Sequence, residues 1–185
     1  MMVLQNTLDQ LIQIRAGGRV ERCHTIPHTT SYNNASHSWG VAMIMLKLWP
    51  EDFPKLAVHC LVHDVPEGCL GDIPSPTFKF CPKLSGVIEK LEDRIFKALS
   101  LPNGKELTEL EYKKLKNCDH LELYFWCLEQ QWAGNFFVKE CVKRLEDLFK
   151  QDDYLLPEAY SLFLNMQFSG TKPLMGFTES VLQGD

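Results

Sequence analysis

No apolar run in the 185-residue sequence is long enough to cross a bilayer; the longest, Trp39 to Trp49, has eleven residues and contains Lys47. The opening stretch MMVLQNTLDQLIQIRAGGRV lacks a basic segment followed by an apolar core, so no secretory signal is expected. There is no C-x-x-C pair among the seven cysteines at 23, 60, 69, 81, 118, 127 and 141. Their odd count and irregular spacing argue against a zinc ribbon or a disulfide framework, and for reduced cysteine used as a small apolar residue. Basic charge is also short: 19 Lys and Arg against 24 Asp and Glu leave a net charge of −5. That excludes a dedicated coat for a nucleic-acid polymer. No internal repeat, low-complexity tract or convincing strand alternation occurs. A cytoplasmic protein without a membrane partner is the expectation.

A hydrophobic fraction of 45%, with 11% aromatic residues, implies a packed core. The charge is polarised. Residues 1–50 hold four basic and two acidic side chains, and residues 51–185 hold fifteen and twenty-two. A basic first segment on an acidic protein suits a small anionic ligand.

Helical periodicity dominates the chain. Leu4, Leu8, Leu11 and Ile12 mark a first amphipathic helix that Gly17-Gly18 ends. Residues 19–35 have no period and read as a functional loop. Ser36 is placed to cap a helix running to about Leu48. Pro54 suits the first turn of the next helix, KLAVHCLVHD, which is apolar on nearly every side and so predicts a buried position. Residues 65–82 carry four prolines and two glycines and predict irregular chain. Leu84, Val87, Ile88, Leu91, Ile95 and Leu99 space a long helix. Thr108 with Glu111 resembles a capping box for another, continuing to about Trp132. Two more follow after Gly134-Asn135, the last near Pro157 to Phe168. The sum is an all-α domain of about six to eight helices over residues 1–168, with residues 169–185 an unassigned tail.

Four residues stand out chemically. His37 lies near the start of a helix, His63-Asp64 ends the apolar helix, and Asp119 lies within a later one. Two imidazoles and two carboxylates suit a divalent transition ion such as Co, Mn, Zn, Ni or Fe. Adjacent helical residues point about 100° apart, so His63 and Asp64 share an ion only where the helix ends, and Pro66 supplies an ending. Asp64 would also sit at the negative end of its own helix, a place that a cation relieves. Taken singly, each reads as a hydrogen-bonded core histidine or a surface acid. His59 reads as a packed neighbour of His63, and His24, His28 and His120 carry no independent signal.

The pattern His37 … His63-Asp64 … Asp119 resembles the H…HD…D signature of the HD-domain phosphohydrolases. ASHSWGVA (35–42), LVHDVPEGCLGDIPSP (61–76) and NCDHLELYFWCLE (117–129) are similar to blocks of its small 5′-deoxynucleotidase branch, and to the phage dATP triphosphohydrolases within it. The resemblance covers roughly residues 15–150. It implies that His37, His63, Asp64 and Asp119 hold the metal. It implies that Glu67 handles the attacking water, with Asp72 a second required acid. Arg22 would bind the substrate phosphate, a role that suits a guanidinium fork. Pro76 would line the base pocket and Lys79 would reach distal phosphates. Cys23 stands where the branch often has a Trp beside the sugar, which throws ribose discrimination onto His24 or Trp39.

The resemblance favours hydrolysis of dATP to deoxyadenosine and triphosphate. The alternatives are a 5′-deoxynucleotidase releasing phosphate from a monophosphate, and a non-catalytic module that senses a nucleotide. It also implies a homo-oligomer, a dimer or hexamer, located in the host cytoplasm if the gene belongs to a phage.

Overall fold

The computed structural model describes residues 2–168, so the expected tail, 169–185, lies outside the described residues. The helices are α1 (Met2–Gly17), α2 (Asn34–Leu48), α3 (Phe53–Val62), α4 (Glu67–Leu70), α5 (Pro76–Phe80), α6 (Lys83–Leu99), α7 (Glu109–Trp132), α8 (Lys139–Phe149) and α9 (Pro157–Phe168). Seven of these have ten or more residues, within the expected number; α4 and α5 are single turns in the stretch predicted to be irregular. Among the described residues extended structure is limited to one isolated bridge between Glu21 and Asn33. No described helix is long and apolar enough to cross a membrane.

The described residues divide into two compact units, one ending at Leu123 and the other beginning at Tyr124. In the first, Val62, Val65, Phe96 and Leu99 form a core against Ile14, Ile95 and Leu101, which ties α1, α3 and α6 together. Glycine sets the spacing at its edge. A Cβ on Gly17 would stand 2.6 Å from the Val65 carbonyl oxygen, and one on Gly68 would stand 2.7 Å from the Gly17 nitrogen. Backbone meets backbone there, and the segment after His63-Asp64 is pressed against the end of α1. In the second unit, Tyr124, Phe149 and Phe163 pack edge-on, with ring centroids 5.1–5.6 Å apart. Tyr124 also donates to Glu146 at 3.0 Å.

Two local expectations are corrected. The cap of α2 is Asn33: its side chain accepts from the Ser36 amide, and Ser36 sits at the third helical position, completing a capping box. The predicted cap was Ser36, three residues late, because a serine at either end of that box looks alike in sequence. The helix α3 is buried on one side at Leu56, His59 and Cys60, yet Val58 and Leu61 are exposed, so it is not enclosed on all sides. The loop before α2, expected to be more than a connection, is held by its own hydrogen bonds. Its Glu21 carboxylate accepts from Ser31 Oγ and the Tyr32 amide, and the Arg22 amide donates to the Tyr32 carbonyl at 2.7 Å.

Candidate functional site

The capping box fixes the start of α2 and turns His37, fully buried, inward. The helix α3 ends at Val62 with His63 as its C-cap, still in helical conformation. The turn that follows tightens, the Val65 amide donating to the Val62 carbonyl at 3.0 Å, where His63 and Asp64 both reach the cluster. The long α7, opened by the Thr108–Glu111 capping box that the spacing predicts, carries Asp119 to the same place.

His37 Nε2 lies 3.1 Å from Asp119 Oδ1 and 3.3 Å from His63 Nε2. His63 Nε2 lies 3.9 Å from Asp119 Oδ1. Asp64 Oδ2 is 3.3 Å from His63 Nε2 and 3.6 Å from His37 Nε2. Donors bound about 2.1 Å from one ion at tetrahedral angles stand ~3.4 Å apart, so these separations fit a single divalent cation. His37, His63 and Asp119 form a group able to hold a metal ion, with ligand atoms within 4.8 Å of one another. Asp64 differs from the other three because its Oδ2 also forms an ion pair with Arg22 Nη1.

The charges have identifiable causes. Burial opposes the charged form of His37, but hydrogen bonds to Asp119 and Glu122 outweigh it, raising its value to about 9. His63 shifts down because burial dominates. Burial would raise Asp64, yet His63 and Arg22 hold it below the ordinary carboxylate range. Asp119 is likewise held low against burial, first by Lys116 and then by His37. Once a metal displaces the His37 proton, two neutral imidazoles with two ionised carboxylates would balance a divalent charge.

Glu67 opens α4, and burial followed by the nearby Asp64 charge pushes its carboxyl up to about 8. Asn34 connects it to the rest. This 2%-exposed amide donates to Glu67 Oε2 at 2.8 Å and to the carbonyls of Gly17 and Asp64 at 3.2 Å. Its Oδ1 accepts from Arg22 Nη1 at 3.1 Å. Arg22 also lies over the Tyr32 ring, 5.8 Å from its centroid, while its Nε is buried without a hydrogen-bond partner. Asp72 Oδ2 accepts from the Cys23 amide at 3.0 Å and stands 3.3 Å from His24 Nδ1. Cys23 itself takes a left-handed backbone with φ 53°, which bends the loop at this point.

Of the twelve residues singled out in the sequence, the structure brings nine together: His37, His63, Asp64, Asp119, Glu67 and Arg22 as one network, and Asp72, after α4, with Cys23 and His24 on the loop that carries Arg22. Trp39 is not brought in. It is 64% exposed, because two residues along a helix turn it about 200° away from the buried His37. Pro76 opens α5 and Lys79 is exposed near its end; no hydrogen bond or ion pair joins either to the cluster.

The sequence reading missed Tyr32, Asn34, Lys116 and Glu122. Lys116 Nζ donates to Asp119 Oδ2 at 2.8 Å, and Glu122 forms an ion pair with His37 Nδ1. Their positions held a signal, since both lie three residues from Asp119 and therefore on its face of α7. A cavity of about 170 Å³ beside the cluster is lined by His63, Asp64, Glu92, Asn103, Tyr112 and Lys116, among others.

An all-helical chain that brings together two histidines and two aspartates, from the start of α2, the end of α3 and the middle of α7, has the HD phosphohydrolase fold with a candidate divalent-metal centre. The chain belongs to the 5′-deoxynucleotidase YfbR-like family, whose model matches residues 13–168. The dATP triphosphohydrolase of Salmonella phage PMBT28 is 30% identical over 127 residues, 60% of this chain. The match spans 61% of that relative's length. A solved structure, the cyanophage S-2L HD phosphohydrolase DatZ bound to dA and one catalytic Zn2+ ion, has a TM-score of 0.62. The superposition covers 85% of this chain and 93% of that chain at 17% identity, a likeness of fold.

Proposed function

We propose that the chain is a metal-dependent nucleotide phosphohydrolase, and specifically a dATP triphosphohydrolase that lowers the dATP pool. A water oxygen bonds to the α-phosphorus, the bond from phosphorus to O5′ breaks, O5′ takes the proton, and deoxyadenosine and triphosphate leave. The observation that carries the reading is the convergence of the four donors with Glu67 and Arg22 in one hydrogen-bonded network.

When bound, a divalent ion supplies Lewis acidity toward a phosphoryl oxygen and lets water ionise near neutral pH. Donors for it are His37, His63, Asp64 and Asp119. Glu67, raised to about 8, is suited to take a proton from water and pass it on near neutral pH. Asn34 orients that carboxylate. Arg22 has a buried Nε without a partner, and turned toward substrate its fork offers paired donors to phosphate oxygens. Asp72 holds the loop bearing Arg22, Cys23 and His24, which places the last two to touch the sugar. Pro76 at the base and Lys79 at the distal phosphates rest on the resemblance.

The choice of dATP is supported by the phage relative, and that relative also supports a place in the host cytoplasm. The family description favours a second reading, a 5′-deoxynucleotidase acting on monophosphates. Incubating metal-loaded protein with dNTPs, NTPs and dNMPs separates the two. Triphosphate from dATP supports the first reading, and inorganic phosphate from several dNMPs supports the second. Absence of turnover with every metal tried would favour a nucleotide sensor. A homo-oligomer, dimer or hexamer, belongs to the same proposal and is tested by light scattering.

A further inference from the structure

We infer that Glu122 is the positioning residue that presents His37 to the metal, seated against α2 by Gly40 and held by Tyr32. The inference rests on the metal reading of the cluster and goes beyond it, because no ligand set includes Glu122.

The geometry begins with the two nitrogens of His37. Nε2 faces Asp119 and His63 at 3.1 and 3.3 Å, so it is the nitrogen available to an ion. Nδ1 faces the Glu122 carboxylate instead. An ionised carboxylate only accepts, so Nδ1 must carry the hydrogen. The neutral ring then has its lone pair on Nε2, directed into the cluster. The opposite tautomer would point an N–H at the ion's place. Metal-bound histidines commonly gain orientation and basicity from a carboxylate in this way.

Two further contacts show that Glu122 is not a surface acid that happens to be near. Tyr32, 3% exposed, donates its hydroxyl to the same Glu122 Oε2 and lies 3.2 Å from His37 Nδ1. Gly40 follows His37 by three residues, on the same face of α2. A Cβ there would stand 2.7 Å from Glu122 Cγ and 3.0 Å from Oε1. Glycine inside a helix is less favourable than alanine, so a packing reason is expected, and the Glu122 side chain fills the space. Loop, α2 and α7 therefore meet on one carboxylate.

The test measures zinc affinity by competition with a chromophoric chelator, and the His37 tautomer by long-range proton–nitrogen NMR on histidine-labelled, zinc-loaded protein. Glu122→Gln keeps the shape but replaces the acceptor-only group with an amide that can also donate. Zinc should bind ~10- to 100-fold more weakly, with the His37 nitrogen shifts displaced. Gly40→Ala, which pushes Glu122 aside, should move both readouts the same way. A purely structural Glu122 would lower the melting temperature of metal-free protein and leave the nitrogen shifts of the zinc form unchanged. Wild-type-like zinc affinity in Glu122→Gln, within about twofold, overturns the inference while the metal reading stands. Wild-type protein that takes up no zinc overturns both.

Discussion

Asn34 donates to Glu67 across 2.8 Å while its carbonyl oxygen accepts from Arg22 at 3.1 Å. One buried amide thus orients the proposed proton carrier and the proposed phosphate ligand, and it also satisfies the carbonyls of Gly17 and Asp64. Asn34→Ala removes all of these bonds at once. The metal-free protein should lose ~1–3 kcal/mol of unfolding free energy, the usual cost of stranding buried polar groups. Turnover should fall by at least about tenfold, since a misplaced catalytic group loses its attack geometry. Denaturant unfolding, with slopes compared to exclude a change of mechanism, and steady-state assays check both parts. A variant with wild-type stability would remove Asn34 from the centre of the network.

Asp64 and Glu67 are three residues apart, yet their substitutions should separate metal from chemistry. Asp64 Oδ2 lies 3.3 Å from His63 Nε2 within the donor set, whereas Glu67 hydrogen-bonds to Asn34. Asp64→Ala should lose bound metal and activity together. It should also destabilise the protein, because Arg22 then keeps a half-buried charge without its partner. Glu67→Ala should keep the metal and lose activity. Metal content by elemental analysis beside turnover reads the difference, and near-normal turnover in Glu67→Ala would end its assignment as proton carrier.

The difference between what the sequence showed and what it hid follows from where each contact is encoded. His63-Asp64 with Pro66 states its own geometry, because a helix ending is local. The Thr108–Glu111 box and the glycines after α1 are local as well, and they gave the element boundaries nearly unchanged. Trp39 lies outside the cluster because helical phase is not visible in motif adjacency: two residues from the buried His37 is the far side of the helix. Asn34 was invisible since its four partners come from Gly17, Arg22, Asp64 and Glu67, which only the fold brings together. Glu122 was half legible. Its spacing from Asp119 was in the sequence, but its partner on α2 was not.

Gly68 is another point where backbone contact places the site. A Cβ here, directly after Glu67, would stand 2.7 Å from the Gly17 nitrogen. Gly68→Ala forces backbone apart rather than a flexible side chain, at a cost of ~1–3 kcal/mol typical of overpacking. The displacement should reach Glu67 before it reaches the donors on α2 and α7. Expected results are a lower melting temperature, reduced turnover and metal content near that of wild type. Full activity at unchanged stability would show that α1 and α4 have slack at this contact.

The final prediction concerns pH in metal-free protein. His37 is raised from 6.5 to about 9, with hydrogen bonds to Asp119 and Glu122 outweighing the burial that opposes its charge. A raised histidine contributes stability that is complete below 6.5 and disappears as pH climbs through about 9. Glu67 is raised from 4.5 to about 8, by burial first and then by Asp64. The folded state keeps a proton there that the unfolded chain releases above 4.5, so this carboxyl costs increasing stability up to about pH 8. Both groups bind more protons when folded, and both slopes have the same sign. The melting temperature of chelator-treated protein should therefore fall from about pH 6.5 to about pH 9. Zinc requires the unprotonated His37 nitrogen, so loading near neutral pH should release protons, seen as a buffer-dependent heat in calorimetric titration. A metal-free melting temperature that rises across this range would mean that the two buried groups do not hold their protons as their surroundings imply.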